Sequence, residues 1–461
     1  MTSGHTPIHL CHLRADTGSA RGSQWLMDFA HSSQAQALRL QLEAFMQRYV
    51  LPYNAAWHRS VHEGVYPPPF LEDLKDLARE EGLWNLFLPD LPSDQPGTGL
   101  GHLDYAPLAE IMGRIPWAAE IFNCSAPDTG NIELLQRFAS SAQRSQWLTP
   151  LLHGHIRSAF AMSEPDVASS DPTNLQTVVR RDGDHLVLNG RKWFITGAAH
   201  PNCQLLIVMC RNADNDAEPG ATGKPLGAHH QHSMVLVPMG TPGVQVVRNI
   251  PVVHHHAPEG HCEILLKDVQ VPLDHLLGAW GEGFAMAQAR LGPGRVHHCM
   301  RTIGQCELAL ELASERTLER QAFGKYLSDF SNVQEWIAES RIEIDQARLL
   351  VLHAAWLLDG GTADRGLVLA QVAAIKVVAA RLQSRVVDRA MQAFGAMGLS
   401  PDTPLAYFWT WGRALHLMDG PDEVHLRTVA RHELARARQR MGATSAYFTT
   451  PEQLLAPPRI R

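Results

Sequence analysis

Ala-Phe-Ala-Met-Ser-Glu-Pro-Asp-Val-Ala-Ser-Ser-Asp runs from Ala159 to Asp171, and Asn-Gly-Arg-Lys-Trp-Phe-Ile-Thr-Gly from Asn189 to Gly197. Between them, Val178 to Leu188 holds two β-rich runs around an Asp182-Gly183 turn, the strongest short-range hairpin signal a sequence can carry. The segment therefore reads as β structure inside a chain that is otherwise mostly helical. Ser163, Ser169, Ser170 and Thr196 bring hydroxyls that both donate and accept, and Trp193 and Phe194 bring flat apolar faces. A heteroaromatic ring, hydrogen-bonded at its edge and walled on its face, would suit this set. A plain amphipathic hairpin with a buried aromatic pair satisfies the same pattern.

A chain of 461 residues exceeds what one hydrophobic core usually organises, so two or three domains are expected. Hydrophobic residues at 45% and charged residues at 19% describe an ordinary globular composition, and a net charge of -7 argues against a nucleic-acid surface. Cys11, Cys124, Cys203, Cys210, Cys262, Cys299 and Cys306 form no CxxC pair and no zinc spacing, which points to free thiols in a reducing compartment. The run Leu349 to Leu358 is interrupted by His353 and too short for a bilayer, so no membrane span is expected. The first 30 residues contain Arg14 and Arg21 but no continuous apolar stretch, so they read as a tail rather than a signal peptide, and a cytoplasmic location is expected.

Outward from the central stretch, the chain divides into a tail (1–32), an N-terminal helical domain (33–156), a middle antiparallel β domain (157–278), a C-terminal four-helix bundle (279–440) and an arm (441–461): an α+β chain, mainly α. Helices are expected over Gln34 to Arg48, Phe70 to Glu81, Tyr105 to Gly113, Asn131 to Ala139 and Ala142 to Leu152, punctuated by prolines from Pro52 to Pro96. Strands are expected at Gln204 to Cys210, Met234 to Pro238, Val244 to Val247 and Cys262 to Leu266, spaced like an antiparallel barrel or sandwich. No GxGxxG follows a strand, which argues against a Rossmann site. Asn212 to Gly227, rich in Asp, Asn, Gly and Pro, reads as an exposed loop.

In the bundle, Val333, Ile337, Ile344, Ala347, Val351, Ala354 and Leu358 share one helical face, with Ser331 and Gln334 as a capping-box start. Arg365 to Phe394 reads as a second helix stopped by Gly395. Val296 to Arg320 and a helix beginning at Pro421 complete the four. Among 25 histidines, His254-His255-His256 and His229-His230 with His232 look like metal ligands, but neighbours on a strand point to opposite faces, and no metal is expected. His297-His298 begin a helix and could face a ligand pocket; without HExxH or matched carboxylates they receive no ligand role.

Four stretches together resemble the acyl-CoA dehydrogenase family, in that family's order: Met162 to Asp171, Asn189 to Gly197, Glu319-Arg320-Gln321-Ala322-Phe323-Gly324-Lys325, and Met391-Gln392-Ala393-Phe394-Gly395-Ala396. The likeness spans residues 33 to 440. Glu164 to Asp171 and Gly292-Pro293-Gly294-Arg295 are similar to the branch of members ten and eleven, without the kinase-like domain of its largest members.

The resemblance implies FAD between the β domain and the bundle, and oxidation of an acyl-CoA to its trans-2-enoyl thioester. It implies that Met162, Ser163, Ser170, Phe194 and Thr196 contact the flavin, Phe194 against the ring and Thr196 near N5. It implies that Arg320, Phe323, Gln392 and Gly395 serve the cofactor of a neighbouring subunit in a homodimer or homotetramer, although the family's second glycine is Ala396 here. Where most members have glutamate before Gly-Thr, this chain has Met418-Asp419-Gly420-Pro421, so the implied base is Asp419, oriented by Arg295. An electron-transfer flavoprotein or similar acceptor is the implied partner. The same fold also hosts acyl-CoA oxidases and flavin monooxygenases, and a catalytically silent flavin-binding assembly protein is the alternative from another class.

Overall fold

The computed structural model describes residues 27–213, 228–362 and 364–448. The expected tail up to residue 26, the expected loop from residue 214 to 227 and the arm from 449 onward lie outside the described residues. The first helical layer contains α1 (Ser33–Phe45), α2 (Asn54–His62), α3 (Phe70–Glu80), α4 (His102–Gly113), α5 (Ala118–Ile121) and α6 (Asp128–Phe138). Two short helices follow, α7 (Ser141–Gln143) and α8 (Thr149–Leu152), joined by a π-helical turn at Arg144–Leu148, so the helix expected over Ala142 to Leu152 is continuous but irregular. Helices α2 and α5 were not legible in the sequence, and α2 buries no residue fully.

The sheet contains β1 (Arg157–Ala161), β2 (Val178–Asp182), β3 (His185–Thr196), β4 (Cys203–Asn212), β5 (His232–Pro238), β6 (Val244–Asn249), β7 (His261–Pro272) and β8 (Leu276–Leu277). Its order is β6-β7-β3-β2-β4-β5-β8, with β1 against β4. Asp182 pairs with His185, so the hairpin turn is Gly183-Asp184 rather than Asp182-Gly183, with Gly183 at φ 61°. Most pairings are antiparallel, but β1 and β2 both run parallel to β4. Parallel partners are joined by long connections and leave no local signature. Strand β4 is buried on both faces: Leu205, Ile207 and Met209 pack on the helical layer, and Leu206, Val208 and Cys210 on the sheet's own core.

The C-terminal layer begins with α9 (Gly283–Glu319), continues through a small hairpin of β9 (Gln321–Ala322) and β10 (Lys325–Tyr326), and is completed by α10 (Ser331–Trp356), α11 (Arg365–Phe394), α12 (Leu405–Leu415) and α13 (Asp422–Gln439). Helix α9 starts 13 residues before the expected Val296, because Gly292-Pro293-Gly294 is accommodated inside the helix. The N-cap of α10 is Phe330, not Ser331, and no capping box forms; Gln334 instead donates its side-chain amide to the Ser328 carbonyl at 2.9 Å. Helix α11 has the expected ends, with Asp364 accepting from the Leu367 N–H and Gly395 closing at φ 63°. Pro421 is the N-cap of α13 rather than its first residue.

The stretch Arg365–Leu399 is long and apolar enough to cross a membrane, but Val372, Ile375, Ala379, Leu382 and Val386 are spent on the centre of the bundle. Helices α4 and α9 meet backbone to backbone: a β-carbon at Gly113 would collide with the Arg301 carbonyl, and one at Gly304 with the Glu110 carbonyl.

Helix α6 turns Glu133 inward, where both carboxylate oxygens are buried without a partner among the described residues. Burial pushes this carboxyl from 4.5 up to about 7, against the pull of His102, Arg137 and Arg290. The folded chain thus keeps a proton that the unfolded chain releases, so the associated stability is complete below about 4.5 and is lost as pH rises through about 7. Glu133→Gln is expected to remove that part of the pH dependence, on the order of 2 kcal/mol. Melting temperatures of both proteins at pH 5 and pH 8 check this; an unchanged drop between the two would mean that Glu133 is ionised in the fold.

Candidate functional site

Strand β1 ends at Ala161, and the chain then runs through Met162, Ser163 and Glu164 beside β3. Lys192 fixes this run. Its ammonium donates to the Met162 carbonyl at 2.9 Å, to Glu164 Oε1 at 2.8 Å and to the Met209 carbonyl at 2.7 Å, so all three donors are used. Glu164 in turn accepts from the Gln176 and Thr177 N–H groups at 2.6 and 2.9 Å. Burial pulls the Lys192 ammonium's pKa down and Glu164 opposes that; the Glu164 carboxyl is held below its usual range, since Lys192 and these donors outweigh its burial. The Trp193 N–H then donates to the Ser163 carbonyl at 3.0 Å.

The β3–β7 register shifts between Lys192 and Ile195, and Phe194 sits in that irregularity at φ 52°. A bulge re-aims side chains. Here it leaves the Phe194 ring 43% exposed, edge-on to Trp193 at 4.9 Å. Thr196, half-buried, pairs across the strands with His261, and its Oγ1 lies 3.0 Å from His261 Nδ1. In the turn after Glu164, Ser169 Oγ accepts from the Glu164 N–H at 2.9 Å, while Ser170 is exposed. Met162, half-buried, packs on the core of the helical layer.

The second half of the site lies where α9, α11 and the turn before α13 meet. Asp419 is left-handed at φ 51°, followed by Gly420 at φ 103°. Arg295 was expected to orient the Asp419 carboxylate; instead its Nε donates to the Asp419 carbonyl at 2.9 Å. The carboxylate faces His298, with Nε2 3.5 Å from Oδ2. Burial alone would raise the Asp419 pKa, but His298, Arg290, Arg295 and Lys376 together hold it below the usual range. Burial and Arg301 pull the His298 pKa down, while Asp419 opposes them. Apart from its own helix backbone and chain neighbours, nothing among the described residues lies within 4 Å of a β-carbon built at Gly292 or Gly294, so α9 is bare beside Arg295.

The two halves are joined through Arg290, stacked over the Phe160 ring of β1 at 4.1 Å and donating to Asn131 Oδ1 at 2.9 Å. Sequence reasoning passed over Lys192, Glu164, His298, Arg290 and His261 as site residues. The signal for the first two was present: an acid and a lysine, each inside one of the two quoted stretches.

Arg320, Phe323, Gln392 and Gly395 belong to a different place, the end of the bundle where α9 and α11 finish. Arg320 caps α9 and is exposed, Phe323 is 98% exposed at φ 52°, and Gln392 and Gly395 are exposed at the end of α11. The histidine clusters do not converge either: no group of three or more His, Cys, Asp or Glu side chains is arranged to hold a metal among the described residues.

Comparison with known proteins matches this arrangement to three family models: acyl-CoA dehydrogenase N-terminal domain over residues 32–155, middle domain over 159–269, and C-terminal domain over 281–434. The chain is 50% identical to "Probable acyl-CoA dehydrogenase FadE2" of Mycobacterium tuberculosis, over 90% of this chain and 99% of that one. It is 46% identical to acyl-CoA dehydrogenase family member 10 of Mus musculus, over 90% of this chain but 38% of that longer protein. A solved chain from Mycobacterium abscessus, described as a candidate acyl-CoA dehydrogenase, superposes with a TM-score of 0.82 at 47% identity, covering 88% of this chain and 99% of its own.

Removing one partner of a buried ion pair leaves the other charged and unpaired, which costs about 3–5 kcal/mol. Lys192→Met is therefore expected to destabilise the fold by about that amount, and Lys192→Met with Glu164→Gln by clearly less. Chemical denaturation of the two variants and the parent checks this; equal losses would mean that the pair is not coupled.

Proposed function

Because the chain belongs to the acyl-CoA dehydrogenase family, we propose that it oxidises an acyl-CoA to its trans-2-enoyl thioester, with Asp419 as the base and FAD as the resident cofactor. The family makes it an oxidoreductase and a flavoprotein of acyl-CoA metabolism. The observation that carries the finer reading is Asp419: a carboxylate held ionised whose arginine neighbour bonds its backbone carbonyl and not its side chain.

The residues present suit FAD. Phe194 offers an exposed flat face, Ser163 and Thr196 offer hydroxyls at the adjoining strand end, and Met162 backs them with apolar surface. When bound, FAD supplies a hydride acceptor at N5 for the substrate's β-carbon. The chain's own part is to take the α-proton. A carboxylate gripped by a guanidinium would be a poor base, whereas Asp419 keeps Oδ1 without a hydrogen-bond partner among the described residues while Arg295 pins the backbone in its left-handed turn. As the proton leaves, charge grows on the thioester oxygen. The Asp419 N–H, with no acceptor among the described residues, is the donor we assign to it. The bare stretch of α9 at Gly292 and Gly294 gives the thioester room beside the base.

Arg320, Phe323, Gln392 and Gly395, exposed at the far end of the bundle, are assigned to the cofactor of a second subunit. A 98% exposed phenylalanine held at a fixed left-handed φ supports a surface that is covered in the assembled protein. A two-fold dimer is the smallest unit that completes both sites, and a tetramer doubles it. Electrons would pass on to an electron-transfer flavoprotein or similar acceptor. Six described cysteines, all free and buried, support a reducing compartment such as the cytoplasm.

The purified protein should carry one FAD per chain, and Asp419→Asn should retain it. With an acyl-CoA under anaerobic conditions, that variant should bleach the flavin at least about a thousandfold more slowly, the contribution of a positioned general base. Asp422→Asn and Glu423→Gln should bleach at close to the parent rate, since Asp422 faces His416 at 2.7 Å rather than the base. Wild-type bleaching by Asp419→Asn would reassign the base. Arg320→Ala should weaken FAD binding by about tenfold or more, the loss of a charge-assisted phosphate contact, with unchanged helicity by circular dichroism. Unaltered cofactor content would remove the cross-subunit assignment.

A further inference from the structure

His261 lies outside every quoted stretch, yet it is the described side chain that the Thr196 hydroxyl meets, at 3.0 Å through Nδ1. It is 4% exposed, and its ring packs against Trp411 of α12 at 5.3 Å. Its backbone is fixed on both sides: the His261 N–H donates to Asn249 Oδ1 at 2.8 Å and its carbonyl accepts from the Ile250 N–H at 3.0 Å. Nε2, at the other end of the ring, is buried and has no partner among the described residues.

These facts point to the nitrogen that carries the proton. Burial pushes the His261 pKa down to about 4, so the ring is neutral and holds a single N–H. A proton on Nε2 would be a buried, orphaned donor, which folded proteins almost never keep. On Nδ1 it has Thr196 Oγ1 as acceptor. Once Oγ1 accepts there, the hydroxyl proton of Thr196 has to point elsewhere.

We propose that His261 is a positioning residue: by donating Nδ1–H to Thr196 Oγ1 it turns the Thr196 hydroxyl outward as a donor, toward the edge where the N5 lone pair of an oxidised flavin accepts it. This rests on the placement of Thr196 at the flavin edge given above. A free threonine hydroxyl samples three rotamers and can donate or accept. One that accepts from a locked imidazole keeps its own proton for another acceptor, and the two hydrogen bonds in series polarise each other. The packing on Trp411 makes the lock rigid, tying the electronic setting of the flavin edge to a helix of the bundle.

The test uses FAD-loaded protein with three readouts: the flavin visible absorption, its midpoint potential, and the rate and half-saturation of reduction by an acyl-CoA. His261→Phe keeps a ring against Trp411 and removes the donor; His261→Asn keeps an N–H near the place of Nδ1. Expected for His261→Phe is the same absorption and potential shift as for Thr196→Val, with reduction slowed about tenfold, the worth of one hydrogen bond, at unchanged half-saturation. The double variant should match Thr196→Val alone, and His261→Asn should return the spectrum toward wild type. A His261→Phe holoenzyme with wild-type absorption and rate beside a shifted Thr196→Val, or effects that multiply in the double variant, would overturn the proposal. A Thr196→Val holoenzyme indistinguishable from wild type would instead overturn the placement of Thr196, and the proposal with it. Should His261→Phe fail to fold, histidine-selective nitrogen-15 spectra of wild-type holoenzyme, assigned by difference against His261→Asn, decide: Nδ1 protonated supports the proposal, Nε2 protonated ends it.

Discussion

One ammonium group holds the β half of the site together. Lys192 reaches from β3 to the Met162 and Met209 carbonyls and to Glu164, and Glu164 passes the connection to the backbone entering β2. Four segments of chain thereby converge on one charge with no solvent to satisfy it. A buried lysine is tolerable only when each of its protons has an acceptor and its charge a counter-ion, and here the count closes. The benefit is not raw stability, which an apolar pair would supply as well, but register. Ser163 and the bulge that exposes Phe194 lie within two residues of the pair, so their direction follows from it.

Helix α9 plays the matching part on the other side. Successive residues on a helix point about 100° apart, so His297 and His298 look into different surroundings. His297 is enclosed by Tyr105, Phe87 and His102, with ring centroids 5.0, 6.0 and 5.8 Å away, and desolvation keeps it neutral. His298 shares its face with Arg295, three residues earlier, and both address the Asp419 turn. The cations around that turn outnumber its carboxylates, yet among the described residues none is bonded directly to Oδ1. The field keeps the acid ionised while leaving one oxygen open, a combination that a direct guanidinium clamp would forfeit.

What the sequence disclosed was what depends on local chemistry. The end of α11 was legible because Gly395 stops it within a single turn, whereas the Asp364 cap at its start was not singled out. The hairpin was legible from Gly183, though its register was off by one residue. Asp419 was singled out because the likeness is read position by position, and its carboxylate lies in a left-handed turn facing His298. Three kinds of feature were hidden. Parallel neighbours of β4 come from distant chain. The Gly-Pro-Gly of α9 reads as a break, and only packing against α4 and the sheet shows that the helix runs through it. Partner choice was hidden too: nothing in the spacing of Arg295 says that it takes a carbonyl rather than a carboxylate, or that Thr196 meets His261.

The glycine contact between α4 and α9 bears on motion. With Gly113 seated on the Arg301 carbonyl and Gly304 on the Glu110 carbonyl, the two helices touch backbone to backbone at these two points, while His102 and Tyr105 of α4 pack on His297 of α9 farther along. Hinge bending of the N-terminal layer away from the bundle would open a dry seam along both helices at once. Any separation of the two layers therefore has to break both glycine contacts and the His297 packing together, which favours local rearrangement of side chains and turns over a swing of whole layers.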